Sequence, residues 1–339
     1  MAKRFVLSGY FGFKNFGDEA ILSALVNKLQ QDKHHLTIIS ANPEYTKGKF
    51  KHVRSVYTFD LWNIAGFISK SDCLISGGGS LLQDVTSIKS LLYYLTIIFI
   101  ALFFRKKVII FAQGIGPIKS TIGQILTRAI LRHCTYVSVR DKKSQGLLAK
   151  WGIKSDLLCD PVFSTIVPRI KKDGSVAVQL RDFKTMTEDF IDRLASKIST
   201  TFPGKEIKIY PLQHSMDIEI CKNFEKAIKL LQPDTPIRIM ENLTDEEVIG
   251  NIAQSEYLIA MRFHAIIAGI ISGVKTLGIN YDVKVEKLCN EFNLPYIELD
   301  KEFKDEFEEL QKINPEELRE KVKINPFNWE NIDKVISDQ

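Results

Sequence analysis

The chain has 339 residues, of which 45% are hydrophobic and 26% charged, a composition that excludes disordered, collagenous and coiled-coil proteins. Forty-six basic against 41 acidic residues leave a net charge of +5. With no dense Lys/Arg block, nucleic acid is not an expected partner; an anionic small molecule or an anionic membrane surface is compatible with so small an excess.

At about 150 residues per domain the length predicts two domains, each able to bury its own core. Cys73, Cys134, Cys159, Cys221 and Cys289 form no CxxC pair and are odd in number. They read as reduced thiols rather than a disulfide framework or a zinc site. The six histidines show no HExxH spacing, so no metal is predicted. The N-terminal MAKR runs straight into an apolar strand without an h-region, which leads us to expect no secretion signal and a cytoplasmic location.

RFVLSG at residues 4–9 predicts a strand and residues 19–30 a helix. LTIIS (36–40), CLIS (73–76), VIIFA (108–112) and YVSV (136–139) are further short apolar strands, with helical periodicity over 81–104 and 121–132. Continuous apolar strands alternating with helices predict a parallel sheet covered on both faces. Residues 1–165 are therefore expected to form a doubly wound, Rossmann-like α/β domain. IVPRIKKDG at 166–174 reads as a linker.

A second βα series of the same kind is expected over 175–325. Its strands are predicted at 175–180, 206–211, 237–239, 257–260 and 275–279, and its helices at 188–202, 217–231 and 264–272. Thr244 with Glu247 three residues on fits a capping box. From Lys301 the chain is charged and helical. In the tail, residues 326–339, Phe327 and Trp329 are expected to dock on the body. Two such domains in tandem predict two lobes with the active site in the cleft between them.

LLYYLTIIFIALFF at 91–104 holds only one polar residue, Thr96, and is followed by Arg105-Lys106-Lys107. Spanning a bilayer takes about 20 apolar residues. Two readings stay open: a helix packed on the sheet, or an interfacial helix with a basic collar.

In open α/β sheets ligands bind beyond the carboxyl ends of the strands. GYFGFKNFGDEA at 9–20 follows the first strand, and its glycines suit close approach to main-chain N–H groups at a helix start, though not at GxGxxG spacing. Asn15 and Asp18 are candidate substrate contacts there; Asp18 is equally a helix N-cap. Gly77, Gly78 and Gly79 after CLIS imply an oxygen-rich ligand such as a phosphate or sugar lying on the loop. Gln113, in QGIGP after VIIFA, is expected to point into the cleft.

Arg140 follows YVSV, and Arg181 follows the first strand of the second series. Strand-terminal arginines suit bidentate binding of carboxylate or phosphate. Gln213 and His214 end another strand. Arg262 and His264, in MRFH, alternate at a strand end that opens a helix, so both can face one side. The helix N-terminus favours an anion there, and His264 can move a proton near neutral pH. Lys284 adds a further cation.

GYFGFKNFGDEAIL (9–22), GGGSLLQD (77–84), QGIGP (113–117), SVRD (138–141), DP (160–161), RFH (262–264) and YDVKV (281–285) together resemble the polysaccharide pyruvyl transferase family, in order and spacing over about residues 5–290. The closest resemblance is to the CsaB-type branch, which modifies secondary cell-wall polymers and so serves S-layer anchoring. Members of the family typically show RLH and YDPKV where Phe263 and Val283 stand here. The resemblance implies a GT-B-like fold, phosphoenolpyruvate as co-substrate with no cofactor, and a pyruvate ketal on a sugar as product. It implies a lipid-linked N-acetylmannosamine acceptor and, with residues 91–104, a peripheral contact with the inner face of the plasma membrane. It makes His264 and Arg140 catalytic, and Arg262 and Lys284 donor-binding. Arginine hardly deprotonates, so His264 is the expected acid and Arg140 the charge stabiliser. A GT-B nucleotide-sugar glycosyltransferase is the alternative, and a non-catalytic scaffold of a polysaccharide assembly complex the third possibility.

Overall fold

A computed structural model describes residues 2–324 and 326–337. The chain divides into two compact units, residues 1–164 with 327–339, and residues 165–326.

The first unit runs β1 (Arg4–Ser8), α1 (Phe16–Gln31), β2 (His35–Ser40), α2 (Pro43–Lys49), β3 (Val53–Tyr57), α3 (Leu61–Ser69), β4 (Cys73–Gly77), α4 (Ile88–Phe103), β5 (Lys107–Gln113), α5 (Thr121–Leu131), β6 (Tyr136–Val139), α6 (Lys142–Lys150) and β7 (Asp156–Leu157). Its sheet is ordered β3-β2-β1-β4-β5-β6-β7, and every pairing is parallel. Central strands such as β4 are buried along their whole length, as strands covered on both faces require.

The second unit runs β8 (Val176–Gln179), α7 (Glu188–Thr201), β9 (Ile207–Ile209), α8 (His214–Leu231), β10 (Ile237–Ile239), α9 (Asp245–Gln254), β11 (Tyr257–Ala260), α10 (Phe263–Ile271), β12 (Lys275–Asn280), α11 (Val283–Phe292), β13 (Tyr296–Glu298), α12 (Glu306–Lys312) and α13 (Pro315–Ile324). Its order is β10-β9-β8-β11-β12-β13, again all parallel. The Thr244–Glu247 capping box opens α9 as expected. The two α/β domains with parallel sheets are thus present.

The last helix, α14 (Glu330–Ser337), belongs to the first unit. Phe327 and Trp329 pack their rings on Phe111 of β5, with centroids 5.6 and 5.4 Å away. Lys28 pairs with Asp333 at 3.0 Å, and Asn331 donates to Asp156 at 2.8 Å. The tail docks through these contacts.

Several elements differ from the sequence reading. β3 is an edge strand of mixed burial, so it lacks the continuous apolar run that marks the central strands; α2 and α3 flank it. α1 begins three residues early because Asn15, not Asp18, is its N-cap: Asn15 Oδ1 accepts from Gly17 N at 3.2 Å. Asp18 sits in the first turn instead. The helix expected from residue 81 begins at Ile88. Residues 81–87 form a loop in which Asp84 accepts from Lys119 N and Ser120 N, both at 2.7 Å.

The apolar run over 91–104 resolves into two faces of α4. Leu91, Leu95 and Ile98 enter the core, whereas Leu92, Phe99 and Phe103 are exposed. We therefore predict a sharp contrast between neighbours. Ile98→Ala should cost about 2–5 kcal/mol, and Phe99→Ala should stay within about 0.5 kcal/mol. Urea unfolding followed by tryptophan fluorescence checks this, because Trp62, Trp151 and Trp329 all lie in the first unit. Equal midpoint shifts for both variants would contradict it.

Candidate functional site

Each sheet reverses direction of winding once: between β1 and β4 in the first unit, and between β8 and β11 in the second. Such a switch opens a crevice at the carboxyl edge of the sheet.

In the first unit the loops after β1 and β4 meet at that crevice. Gly12 (φ +80°), Gly78 (+86°) and Gly79 (+64°) occupy the left-handed region, which favours residues lacking Cβ. Close packing adds to this: a Cβ on Gly79 would stand 2.5 Å from Asp18 Oδ1, and one on Gly12 would stand 2.1 Å from Ser40 Oγ. Asn15, Asp18, Gly78 and Gly79 are therefore neighbours. Gly12 N donates to the buried Glu19 carboxylate at 2.8 Å, and Lys49 Nζ approaches the same carboxylate at 3.4 Å.

The Tyr10 and Phe13 rings stack with centroids 4.0 Å apart and planes 5° from parallel, and Phe13 is exposed. Burial, and then the charge of Asp18, pushes the Tyr10 hydroxyl pKa upward.

Arg140 follows β6. Its Nη1 donates to the buried Asp160 at 2.9 Å and its Nη2 to Ser80 Oγ at 3.2 Å, which ties it to the end of the glycine loop. Gln113 takes a different position from the one expected. It is fully buried, and its Nε2 donates to Ser76 Oγ of β4 at 3.0 Å. Its Oε1 is buried without a hydrogen-bonding partner. This glutamine links strands rather than lining an open surface.

In the second unit, three adjacent strands bring the expected residues to one edge. Arg181 follows β8, Arg262 and His264 follow β11, and Lys284 follows β12. Arg181 Nη1 donates to Tyr281 Oη at 3.2 Å. The Arg181 guanidinium lies 5.3 Å from the Tyr281 ring centre, and Lys284 Nζ lies 5.8 Å from it. Two cations thus share one aromatic ring, an arrangement that offsets part of their repulsion. Arg181 Nε is buried with no hydrogen-bond partner, a donor that ordinarily finds an acceptor.

Arg262 is more heavily engaged than a ligand-binding cation would need to be. Its Nε and Nη2 donate to the Asp217 carboxylate at 2.8 and 2.6 Å, and Nη2 also reaches Gln213 Oε1 at 3.2 Å. Asp217 has no exposure to water. Gln179 Oε1 accepts from Arg262 N at 2.6 Å. Two fully buried side chains therefore fix the turn between β11 and α10. His264, half-buried, is the second residue of α10 and meets Phe263 edge-on at 5.4 Å. No side chain of the N-cap residue closes α10, so its first turn retains positive potential. His214, by contrast, is engaged by Glu241 at 2.6 Å on the surface.

Asp217 and Gln179 escaped the sequence reading, as did the Tyr10–Phe13 stack and Ser80. Asp217 is the first residue of the helix expected over 217–231, where an acid in the first turn is ordinary. No group of three or more metal-ligating side chains occurs among the described residues, and no helix there is long and apolar enough to cross a membrane.

If the buried pair holds the turn, Asp217→Asn should destabilise the second unit by about 3 kcal/mol, because Arg262 keeps its charge without its partner. Glu316→Gln, which breaks the exposed Arg169 pair, should change stability by less than about 1 kcal/mol. Calorimetric unfolding distinguishes the two; similar losses would count against a structural role for Asp217.

A family model for polysaccharide pyruvyl transferase matches residues 15–283. No curated protein matches the sequence. Among solved structures, Anabaena HepE in complex with UDP and glucose is similar at a TM-score of 0.62 and 12% identity, covering 99% of this chain and 98% of that one. A glycosyltransferase from Rickettsia africae gives a TM-score of 0.62 at 14% identity, with both chains covered completely. UDP-GlcNAc 2-epimerase from Neisseria meningitidis, bound to UDP-GlcNAc, gives 0.61 at 12%, also over the full length of both. At such identities the likeness is one of fold, the GT-B-like pairing of two doubly wound domains. With the family match extending from Asn15 in the first switch-point loop to Val283 at the start of α11, the chain belongs to the polysaccharide pyruvyl transferase family.

Proposed function

We propose that the protein transfers the pyruvyl group of phosphoenolpyruvate to two hydroxyls of a sugar, releasing phosphate and leaving a pyruvate ketal. The observation that carries this is the placement of Arg181, His264 and Lys284 just after the adjacent parallel strands β8, β11 and β12, with Arg181 and Lys284 on one Tyr281 ring and His264 in the first turn of α10. Phosphoenolpyruvate bears a carboxylate and a phosphate on three carbons, and it asks for several positive groups close together. Arg181, Lys284 and the α10 N-terminus supply them. Arg262, its charge balanced by Asp217, keeps His264 in register with that cluster.

The enol phosphate is inert until its methylene carbon accepts a proton. His264 is assigned as donor. Protonation makes C2 electrophilic, a sugar hydroxyl adds there, and its proton passes to a base. A second hydroxyl of the same sugar then displaces phosphate at C2 and closes the ketal, its proton leaving with the phosphate. Arg140 is assigned to stabilise negative charge during these steps, held in place by Asp160. The acceptor is assigned to the first unit, where the exposed Phe13 stacked on Tyr10 offers a flat apolar face for a sugar ring and the Gly78-Gly79 loop offers main-chain N–H groups. The finer assignment is the CsaB-type one: an N-acetylmannosamine residue of a lipid-linked cell-wall precursor.

A second reading, nucleotide-sugar glycosyl transfer, draws on the UDP and UDP-sugar complexes of the similar folds. One assay separates them. The protein is incubated with phosphoenolpyruvate or UDP-sugar and an N-acetylmannosamine glycoside, and phosphate, UDP and product mass are followed. Phosphate release with ketal formation is expected; UDP release would favour the second reading, and neither product would indicate a scaffold. His264→Ala should lower kcat about 10²–10⁴-fold and remove its limb from the pH–rate profile. Lys284→Ala should raise KM for phosphoenolpyruvate about tenfold with a smaller effect on kcat, corresponding to about 1.4 kcal/mol of lost binding. Wild-type turnover by His264→Ala across pH would remove it as the acid.

A further inference from the structure

We propose that the first unit docks on an anionic lipid bilayer through the outward faces of α3, α4 and α5 together with the end of β3. These helices are neighbours, α3 beside α4 and α4 beside α5. Each presents large apolar side chains to water. Phe59, Trp62, Phe99, Phe103, Ile122 and Ile125 are all between 56% (Phe99) and 89% (Trp62) exposed. Single exposed apolar residues are ordinary, but a contiguous set from three adjacent helices marks a surface that something covers.

The charges around this face identify the cover. Leu61–Ser69, Ile88–Phe103 and Thr121–Leu131 contain no Asp or Glu at all. Lys89, Arg105, Lys119, Arg128 and Arg132, all exposed, stand on or at the ends of these helices. Two acids, Asp60 and Asp84, also stand near this face, Asp60 accepting from Asn63 and Asp84 from the backbone N–H groups of Lys119 and Ser120; both stay ionised, and the five cations outnumber them. An apolar face bearing Trp and Phe with an excess of cations around it matches a bilayer of acidic lipids, where aromatic rings seat at headgroup depth and cations meet phosphates. A second copy of this chain is a poorer match, since a two-fold interface pairs the patch with itself, and α3, α4 and α5 offer no Asp or Glu to meet its cations. No described helix can cross the bilayer, so the contact lies in its plane. The connection to a lipid-borne acceptor rests on the pyruvyl-transfer proposal, whereas vesicle binding does not.

The test is co-sedimentation of the full chain with phosphatidylcholine vesicles with and without phosphatidylglycerol, at low and high salt. Binding is expected to the anionic vesicles at low salt and to weaken as salt rises. Phe103→Glu/Ile125→Glu should weaken it about tenfold or more, and Arg105→Glu/Arg128→Glu should abolish the preference for phosphatidylglycerol. All four side chains are exposed, so unchanged circular dichroism and melting are expected. Pyruvyl transfer to a water-soluble glycoside should remain at the wild-type rate in both variants, which keeps a failure of membrane binding distinct from a failure of catalysis. Three results would overturn the proposal: wild-type protein remaining in the supernatant with every vesicle, variants that sediment like wild type, or light scattering that shows a wild-type dimer converted to monomer by Phe103→Glu/Ile125→Glu without any vesicle binding.

Discussion

Parallel strand pairing is the constraint from which the rest of this molecule follows. A parallel pair needs a crossover between its strands, and crossovers of one hand bring every strand of the sheet to the same edge in the same direction. In each unit the carboxyl ends of all strands therefore lie together. Loops far apart in the sequence, such as those holding Arg181, His264 and Lys284, become neighbours without any contact designed for that purpose. Reversal of the winding between β8 and β11 then parts the flanking helices over this edge, leaving a crevice that opens on an uncapped helix N-terminus.

Electrostatics at the carboxyl edges of the two sheets, one in each unit, sorts the cations by their partners. Arg262 and Arg140 each meet a carboxylate buried from water, Asp217 and Asp160. Their net charge is thereby spent internally, and their contribution is orientation. A guanidinium with its fork engaged by a carboxylate is stiff, which for Arg262 fixes the turn that carries His264. Arg181 and Lys284 differ: they rest on the Tyr281 ring and do not pair with a carboxylate there. In the proposed reaction, attraction for the anionic donor falls mainly on them and on α10. Losing either type of arginine would impair the site, though by different routes.

What the sequence discloses divides along the same physical line. Strands buried on both faces, such as CLIS and VIIFA, are visible as unbroken apolar runs, and the glycine loop after CLIS stands at the carboxyl edge as expected, whereas Gln113 after VIIFA is buried between strands; that much is local. β3 is not visible, because an edge strand half in solvent mixes its residue types. α11 had a readable apolar spacing in Val285, Leu288, Cys289 and Phe292, yet the motif at its start drew attention to Lys284 alone. Asp18 passed for the cap of α1 because Asn15, three residues earlier, fits the same chemistry. The counter-ions were least legible. Asp217 is 45 residues from Arg262, and nothing in a single chain of letters pairs them until the fold sets α8 beside the end of β11.

The long apolar run shows how a sum can hide a difference. A crossover helix on a parallel sheet needs one apolar face, roughly half its circumference. α4 carries that face in Leu91, Leu95 and Ile98, and a second in Leu92, Phe99 and Phe103. Hydropathy averaged along the run records their total and cannot separate them. The core requirement is satisfied by the first face, so folding gives no reason for the second. The same excess recurs on α3 and α5, where Trp62, Ile122 and Ile125 stand outside the core, and the acids that usually solvate an outer helix face are missing from all three helices. An outward apolar surface shared by three neighbouring helices is better explained by what that layer touches than by how the sheet is covered.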